Sequence, residues 1–135
     1  MTFEDLHVGM SAHSTRVVTD EMIHAFADAT GDRNPLHLDE VAAARTQFGG
    51  RIAHGMLSAG FISATLAHQL PGAGIIYVSQ TLRFRRPVRI GDAITVTVTV
   101  ASLVPEKRRV RLTTVCINDA GDEVVTGEAE VLVPQ

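Results

Sequence analysis

Asp32, Asn34 and His37 fall within one six-residue run, Asp32-Arg33-Asn34-Pro35-Leu36-His37. A carboxylate and an imidazole held close together can share one water. One group accepts its proton while the other donates or orients, and an ordinary imidazole pKa of about 6.5 suits neutral pH. The same residues also carry a structural reading. An Asp after glycine caps turns, Asn-Pro starts them, and a single His is commonly a hydrogen-bonding structural residue. Spacing alone leaves both readings open.

A second group is His54-Gly55-Met56, at the predicted start of an apolar helix. A helix N-terminus presents unpaired N–H groups and a partial positive charge. Gly55 lacks a Cβ, so a ligand oxygen can approach its N–H, as in an oxyanion hole. Gly55 can equally serve to relieve crowding where loop meets helix. His54 reads as a structural hydrogen-bonding residue rather than an acid or base. Ser63, eight residues beyond Gly55, either lines a pocket or bonds back to its own helix.

Arg83, Arg85, Arg86 and Arg89, with Lys107, Arg108 and Arg109, offer either phosphate contacts or a solvated face. The six histidines include no HExxH pair, and the one cysteine cannot supply CxxC. No glycine-rich phosphate loop or GxSxG elbow is present. The expectation is no metal site and no cofactor.

These residues must be held by elements that the pattern predicts. Thr19 is a good N-cap, Asp20 and Glu21 suit the positive end of a helix dipole, and Gly31 stops the helix. Pro35 disfavours a helical residue before it, so Asp32 to His37 is expected to be an irregular loop. Asp39 caps a short helix from Glu40 to about Arg45. A second long helix, from about Gly55 to Leu70, is apolar or small on every side, which predicts that protein wraps it. Strands are predicted over Ile75 to Phe84, over Ile94 to Val100, where Val and Thr alternate, over Arg109 to Ile117, and over Val125 to Val133. The expected order is helices first, then strands. Consecutive strands with short turns imply an antiparallel sheet, here one curved around the buried helix. The fold class is therefore α+β, a single hot-dog domain over residues 1–135.

Bulk properties exclude several functions. A net charge of −3 argues against a nucleic-acid binder. No charged residue occurs from Ile52 to Leu82, but Ser58, Ser63, Thr65, His68, Gln69 and Pro71-Gly72 interrupt the apolar run. A membrane span needs about 20 continuous apolar residues, so none is expected. The single Cys116 and the lack of an N-terminal apolar signal region favour a reducing, cytoplasmic setting.

Taken together, the segments resemble the MaoC-like hydratase family. The run Phe26-Ala27 through Thr30-Gly31-Asp32-Arg33-Asn34-Pro35-Leu36-His37 resembles its hydratase-2 motif. Ile52-Ala53-His54-Gly55-Met56, the stretch Phe84 to Asp92, and Val125-Thr126-Gly127-Glu128-Ala129 are similar to the segments that follow. The resemblance implies an (R)-specific enoyl-CoA hydratase of the short, polyhydroxyalkanoate type. It implies Asp32 and His37 as the catalytic pair, with Asn34, Gly55 and Ser63 contacting or positioning substrate. It further implies an enoyl-CoA or 3-hydroxyacyl-CoA substrate, no metal or redox cofactor, and a homodimer. The alternatives are a 3-hydroxyacyl-carrier-protein dehydratase and a non-catalytic acyl-binding partner subunit.

Overall fold

Thr19 and Gly31 bracket the first long helix. In a computed structural model describing residues 1–135, the Thr19 hydroxyl accepts from the Met22 N–H at 3.2 Å. Gly31 closes the helix in the left-handed region at φ 80°, where a side chain would be strained. This helix, α1, spans Asp20–Thr30. The next segment differs from expectation. Pro35–Leu38 forms one helical turn, α2, capped by the Asn34 side chain, rather than continuing as loop. Proline at the first helical position gives up an N–H that has no partner there anyway, so the residue read as a breaker starts a turn. Asp39 caps α3, Glu40–Ala44, through the N–H groups of Val41 and Ala42. The long helix α4 runs Gly55–His68.

The strands are β1 (Ser11–Val17), β2 (Ile76–Gln80), β3 (Arg83–Phe84), β4 (Ala93–Val104), β5 (Arg109–Ile117) and β6 (Glu123–Leu132). They pair antiparallel in the order β1-β4-β5-β6-β2, with β3 also on β6. The first strand corrects the expected order of helices before strands. β1 is a polar edge strand, Ser-Ala-His-Ser-Thr-Arg-Val, mostly exposed, so it lacks the apolar alternation that reveals the others. The predicted strand from Ile75 to Phe84 breaks into β2 and β3. The reason lies opposite, where a Cβ on Gly127 would stand 1.9 Å from the Thr81 carbonyl oxygen. The chain crosses β6 there and turns Phe84 and Arg85 towards the end of α4.

Ile94, Val96, Val98 and Val100 of β4 are buried, as their alternation requires, and so are Val110, Leu112 and Cys116 of β5. Each such aliphatic side chain contributes about 1.5–3 kcal/mol on leaving water. α4 lies across β4 and also touches β1, β5 and β6. Phe61, Ile62 and Leu66 face the sheet, and a Thr65–Ser14 hydroxyl bond of 2.7 Å pins the helix to β1. This is the hot-dog arrangement. The expected all-round wrapping of α4 is incomplete within one chain, because Gly55, Met56, Gly60 and Ala64 remain exposed. No helix is long and apolar enough to cross a membrane.

Two outcomes follow from this packing. Gly127→Ala forces a backbone shift against Thr81 and should cost about 3 kcal/mol, the upper end of overpacking penalties, read as a lower urea midpoint. Burial pushes the Cys116 thiol up to about 12. Ellman's reagent at pH 8 should therefore leave Cys116 unmodified in the folded protein and modify it fully in denaturing urea. Rapid reaction under native conditions would show that this part of the sheet opens.

Candidate active site

Two imidazole–carbonyl bonds set the geometry. His37 Nδ1 lies 2.7 Å from the Ile52 carbonyl oxygen. A carbonyl only accepts, so Nδ1 carries the hydrogen and a neutral His37 keeps its lone pair on Nε2. His54 Nε2 lies 3.0 Å from the Asp32 carbonyl, so that ring donates through Nε2. The two rings pack with centroids 4.0 Å apart, and Phe26 of α1 sits 4.6 Å from His54 on its other contact. His54 is 2% exposed and His37 9%. The loop after α1 and the loop before α4 are thus held together by buried rings. His54 takes the structural role its sequence position suggested, and its Nδ1 is a buried atom with no partner.

Asp32 stands at the solvent side, its side chain half exposed, with Oδ1 4.0 Å from His54 Nε2. The same oxygen accepts from the Asn34 N–H at 3.3 Å. Asn34 is turned to its own helix: its Oδ1 accepts from the Leu36 N–H at 3.1 Å and so caps the turn that carries His37. Arg51 anchors that turn from behind. Its Nε donates to the His37 carbonyl at 2.7 Å while its terminal nitrogen pairs with Asp20 at the start of α1. That guanidinium holds the Asp20 carboxyl below its usual range.

A cavity of about 370 Å³ opens beside His37. Its walls are largely apolar, with Phe48, Ile52, Met56, Phe84, Val88 and Val125 among them, and Gly55 sits at the edge of α4. A Cβ on Gly55 would stand 2.6 Å from the Phe84 ring, so only glycine permits this contact. The Phe84 ring packs against the helix end at Gly55. Ser58 lines the cavity and Ser63 does not. Eight residues carry Ser63 ~12 Å along α4 and about 80° around it from Gly55, whereas Ser58 is ~4.5 Å along and about 60° around. One helical turn from Gly55, not two, was the signal in the sequence.

Among the basic residues, Arg85 and Arg86 line the cavity, while Arg83 and Lys107 do not. Lys107 lies beyond Arg109, which pairs with Leu132, whereas the cavity-lining Val125 pairs with Cys116. From Val125 to Leu132 at ~3.3 Å per residue, the β4–β5 turn is about 23 Å from the site within this chain. Arg89 is structural: its guanidinium donates to the Phe48 carbonyl at 2.7 Å and ties the two cavity loops.

Asp32, His37 and His54 bring possible metal-ligand atoms within 4.8 Å of one another. His37 Nδ1 and His54 Nε2 are already committed to carbonyls, so binding His54 through Nε2 would cost the bond that holds Asp32. The donor set fits a hydrogen-bonded acid–base centre better than a three-ligand metal site. A free imidazole Nε2, a neighbouring carboxylate and a glycine N–H beside an apolar cavity suit the addition or removal of water on a polarised double bond.

Comparison with known proteins gives the chain a family. A model described as "MaoC like domain" matches residues 6–124. The chain is 55% identical over 98% of its length to a 3-hydroxybutyryl-CoA dehydratase of Methylorubrum extorquens, covering 84% of that protein. It is 53% identical, again over 98% of its length, to an (R)-specific enoyl-CoA hydratase of Rhodospirillum rubrum, covering 91% of it. Among solved structures, the (R)-hydratase from A. caviae involved in PHA biosynthesis superposes with a TM-score of 0.94 at 43% identity, over 97% of this chain and 99% of that one. With its hot-dog fold and with matches of this identity and coverage, the chain belongs to the MaoC-like domain family.

Proposed function

We propose that this chain, as one hot-dog domain over residues 1–135, is an (R)-specific enoyl-CoA hydratase. It adds water to a trans-2-enoyl-CoA to give the (R)-3-hydroxyacyl-CoA and catalyses the reverse dehydration. The observation that carries the reading is the free Nε2 of His37, whose other nitrogen is tied to Ile52, beside the Asp32 carboxylate and the Gly55 cavity.

C3 of an enoyl thioester is electron-poor because the carbonyl withdraws density through the double bond. A water held between Asp32 and His37 adds its oxygen to C3. His37 Nε2 accepts the proton released from that water, and the Asp32 carboxylate accepts the other O–H and offsets the charge of the imidazolium. Charge develops on the thioester oxygen, where the Gly55 N–H and the positive end of α4 stabilise it. The proton then passes from Nε2 to C2, which restores the neutral His37 and completes addition of one H and one OH. The apolar cavity walls keep bulk water from competing. Arg85 and Arg86 supply positive charge at the cavity for the phosphates of CoA.

The working form we propose is a homodimer. β2 is a sheet edge, and Ile76, Tyr77 and Val78 along it are exposed, as is Phe84. Together with the open side of α4, they make an apolar surface that a second copy would cover. A reducing, cytoplasmic setting completes the reading, supported by a single cysteine that is buried and unpaired.

Loss of absorbance at the enoyl-thioester band with crotonyl-CoA tests the activity, and parallel rates on crotonyl-carrier protein test the CoA preference. Asp32→Asn and His37→Ala should each lower kcat by at least ~10²-fold with the circular dichroism unchanged. The double variant should lose little more than the worse single, because groups acting on one water are non-additive. Asp32→Asn retaining more than about a tenth of wild-type kcat would be falsifying for this mechanism. Gly55→Ala should cost about tenfold or more in kcat/KM, since the new methyl displaces Phe84 and crowds the thioester oxygen. Light scattering at micromolar concentration should give about twice the 14.5 kDa chain mass, and a fully active monomer would refute the dimer.

A further inference from the structure

Ser58 is the buried polar side chain of the cavity that no structural bond accounts for. It is 2% exposed and lies on α4, one turn beyond Gly55. Hydroxyls buried in helices usually bond back to a carbonyl three or four residues earlier. The buried Thr65 does so to Phe61 at 2.8 Å, and the exposed Thr30 does so to Phe26 at 2.7 Å. The Ser58 hydroxyl makes no such bond and has no other partner within the chain. It is not among the fully enclosed orphan atoms either, of which His54 Nδ1 is the one present. Its oxygen therefore opens onto the cavity that it lines beside His37 and Gly55.

Largely apolar walls make a buried free hydroxyl costly unless a ligand completes it. An acceptor suits this position, because the nearest unpaired backbone group on the helix is a donor, the Gly55 N–H at the mouth of α4. Resting on the hydratase reading above, we propose that Ser58 is a further catalytic residue, whose hydroxyl donates to the thioester oxygen alongside the Gly55 N–H. One N–H leaves an enolate-like oxygen with a single donor. A second donor ~4.5 Å along the same helix converges on it from the next turn. Both donors are carried by one rigid element, so neither must be ordered when charge develops.

Ser58→Ala removes the hydroxyl and keeps a good helix former, so folding should be retained. It should lower kcat/KM for crotonyl-CoA by about 10- to 100-fold, with kcat bearing most of the loss, as expected for a donor that matters most in the transition state. A spectroscopic arm isolates the carbonyl. The enoyl thioester 4-(dimethylamino)cinnamoyl-CoA absorbs further to the red as its carbonyl accepts hydrogen bonds. Bound to the Ser58→Ala variant it should show a smaller red shift than on the wild type. Rates within twofold of wild type would overturn the role. So would a rate loss with an unchanged band, because Ser58 would then act away from the carbonyl. An active wild type with an unimpaired variant removes only the role of Ser58. A wild type inert towards crotonyl-CoA removes the hydratase reading and this role with it.

Discussion

A helix with apolar or small residues on every side has to be covered, and the arrangement of this molecule follows from covering α4. The curved antiparallel sheet takes one side through Phe61, Ile62 and Leu66. A hydroxyl pair, Thr65 with Ser14, sets its position against the edge strand. The N-terminus of α4 then has a fixed place at the end of β6, where β3 brings Phe84 onto Gly55. The cavity is the gap left where helix end, β3 and the preceding loop meet. Its chemistry comes from this position, since the end of the helix supplies unpaired N–H groups beside a largely apolar cavity.

The loop that carries Asp32 and His37 is tied to that helix by rings. His37 is fixed by Ile52, two residues before His54, and His54 in turn holds the Asp32 carbonyl. Neither bond spends the atoms that chemistry needs. His37 keeps Nε2, and Asp32 keeps a carboxylate oxygen, because His54 holds its backbone carbonyl and only Oδ1 accepts from the Asn34 N–H. Arg51 adds a third tie, from the His37 carbonyl to the first turn of α1. The exposure of Asp32 and the burial of both rings divide the pair into one group facing the water supply and one facing the cavity.

Much of this was legible in the sequence wherever the signal is carried by neighbours along the chain. Thr19, Gly31 and Asp39 mark helix ends because capping involves residues two or three apart. The Val–Thr alternation of β4 reports its buried face for the same reason. The order and spacing of Asp32, Asn34, His37 and His54-Gly55 left a structural loop and an acid–base site both open, and only the resemblance of all the segments together to the MaoC-like family pointed to the site. Pro35 was misjudged because one residue suits both a loop and the first position of a helix. β1 was missed because a polar edge strand has no periodic signal of its own.

Tertiary structure alone decided what depends on partners distant in sequence. The tautomer of His37 is set by a carbonyl fifteen residues away. The break between β2 and β3 follows from Gly127, and the contact of Gly55 is with Phe84, each on a different element. Ser58 rather than Ser63 reaches the cavity because the rotation of α4 is fixed by the sheet beneath it. Lys107, close to Arg108 and Arg109 in sequence, is carried to the far end of β5, away from Arg85 and Arg86. Local propensity and capping act over a few bonds and can be read in order. Cavities, proton positions and charge clusters arise only when the sheet closes around α4 and brings separate segments together.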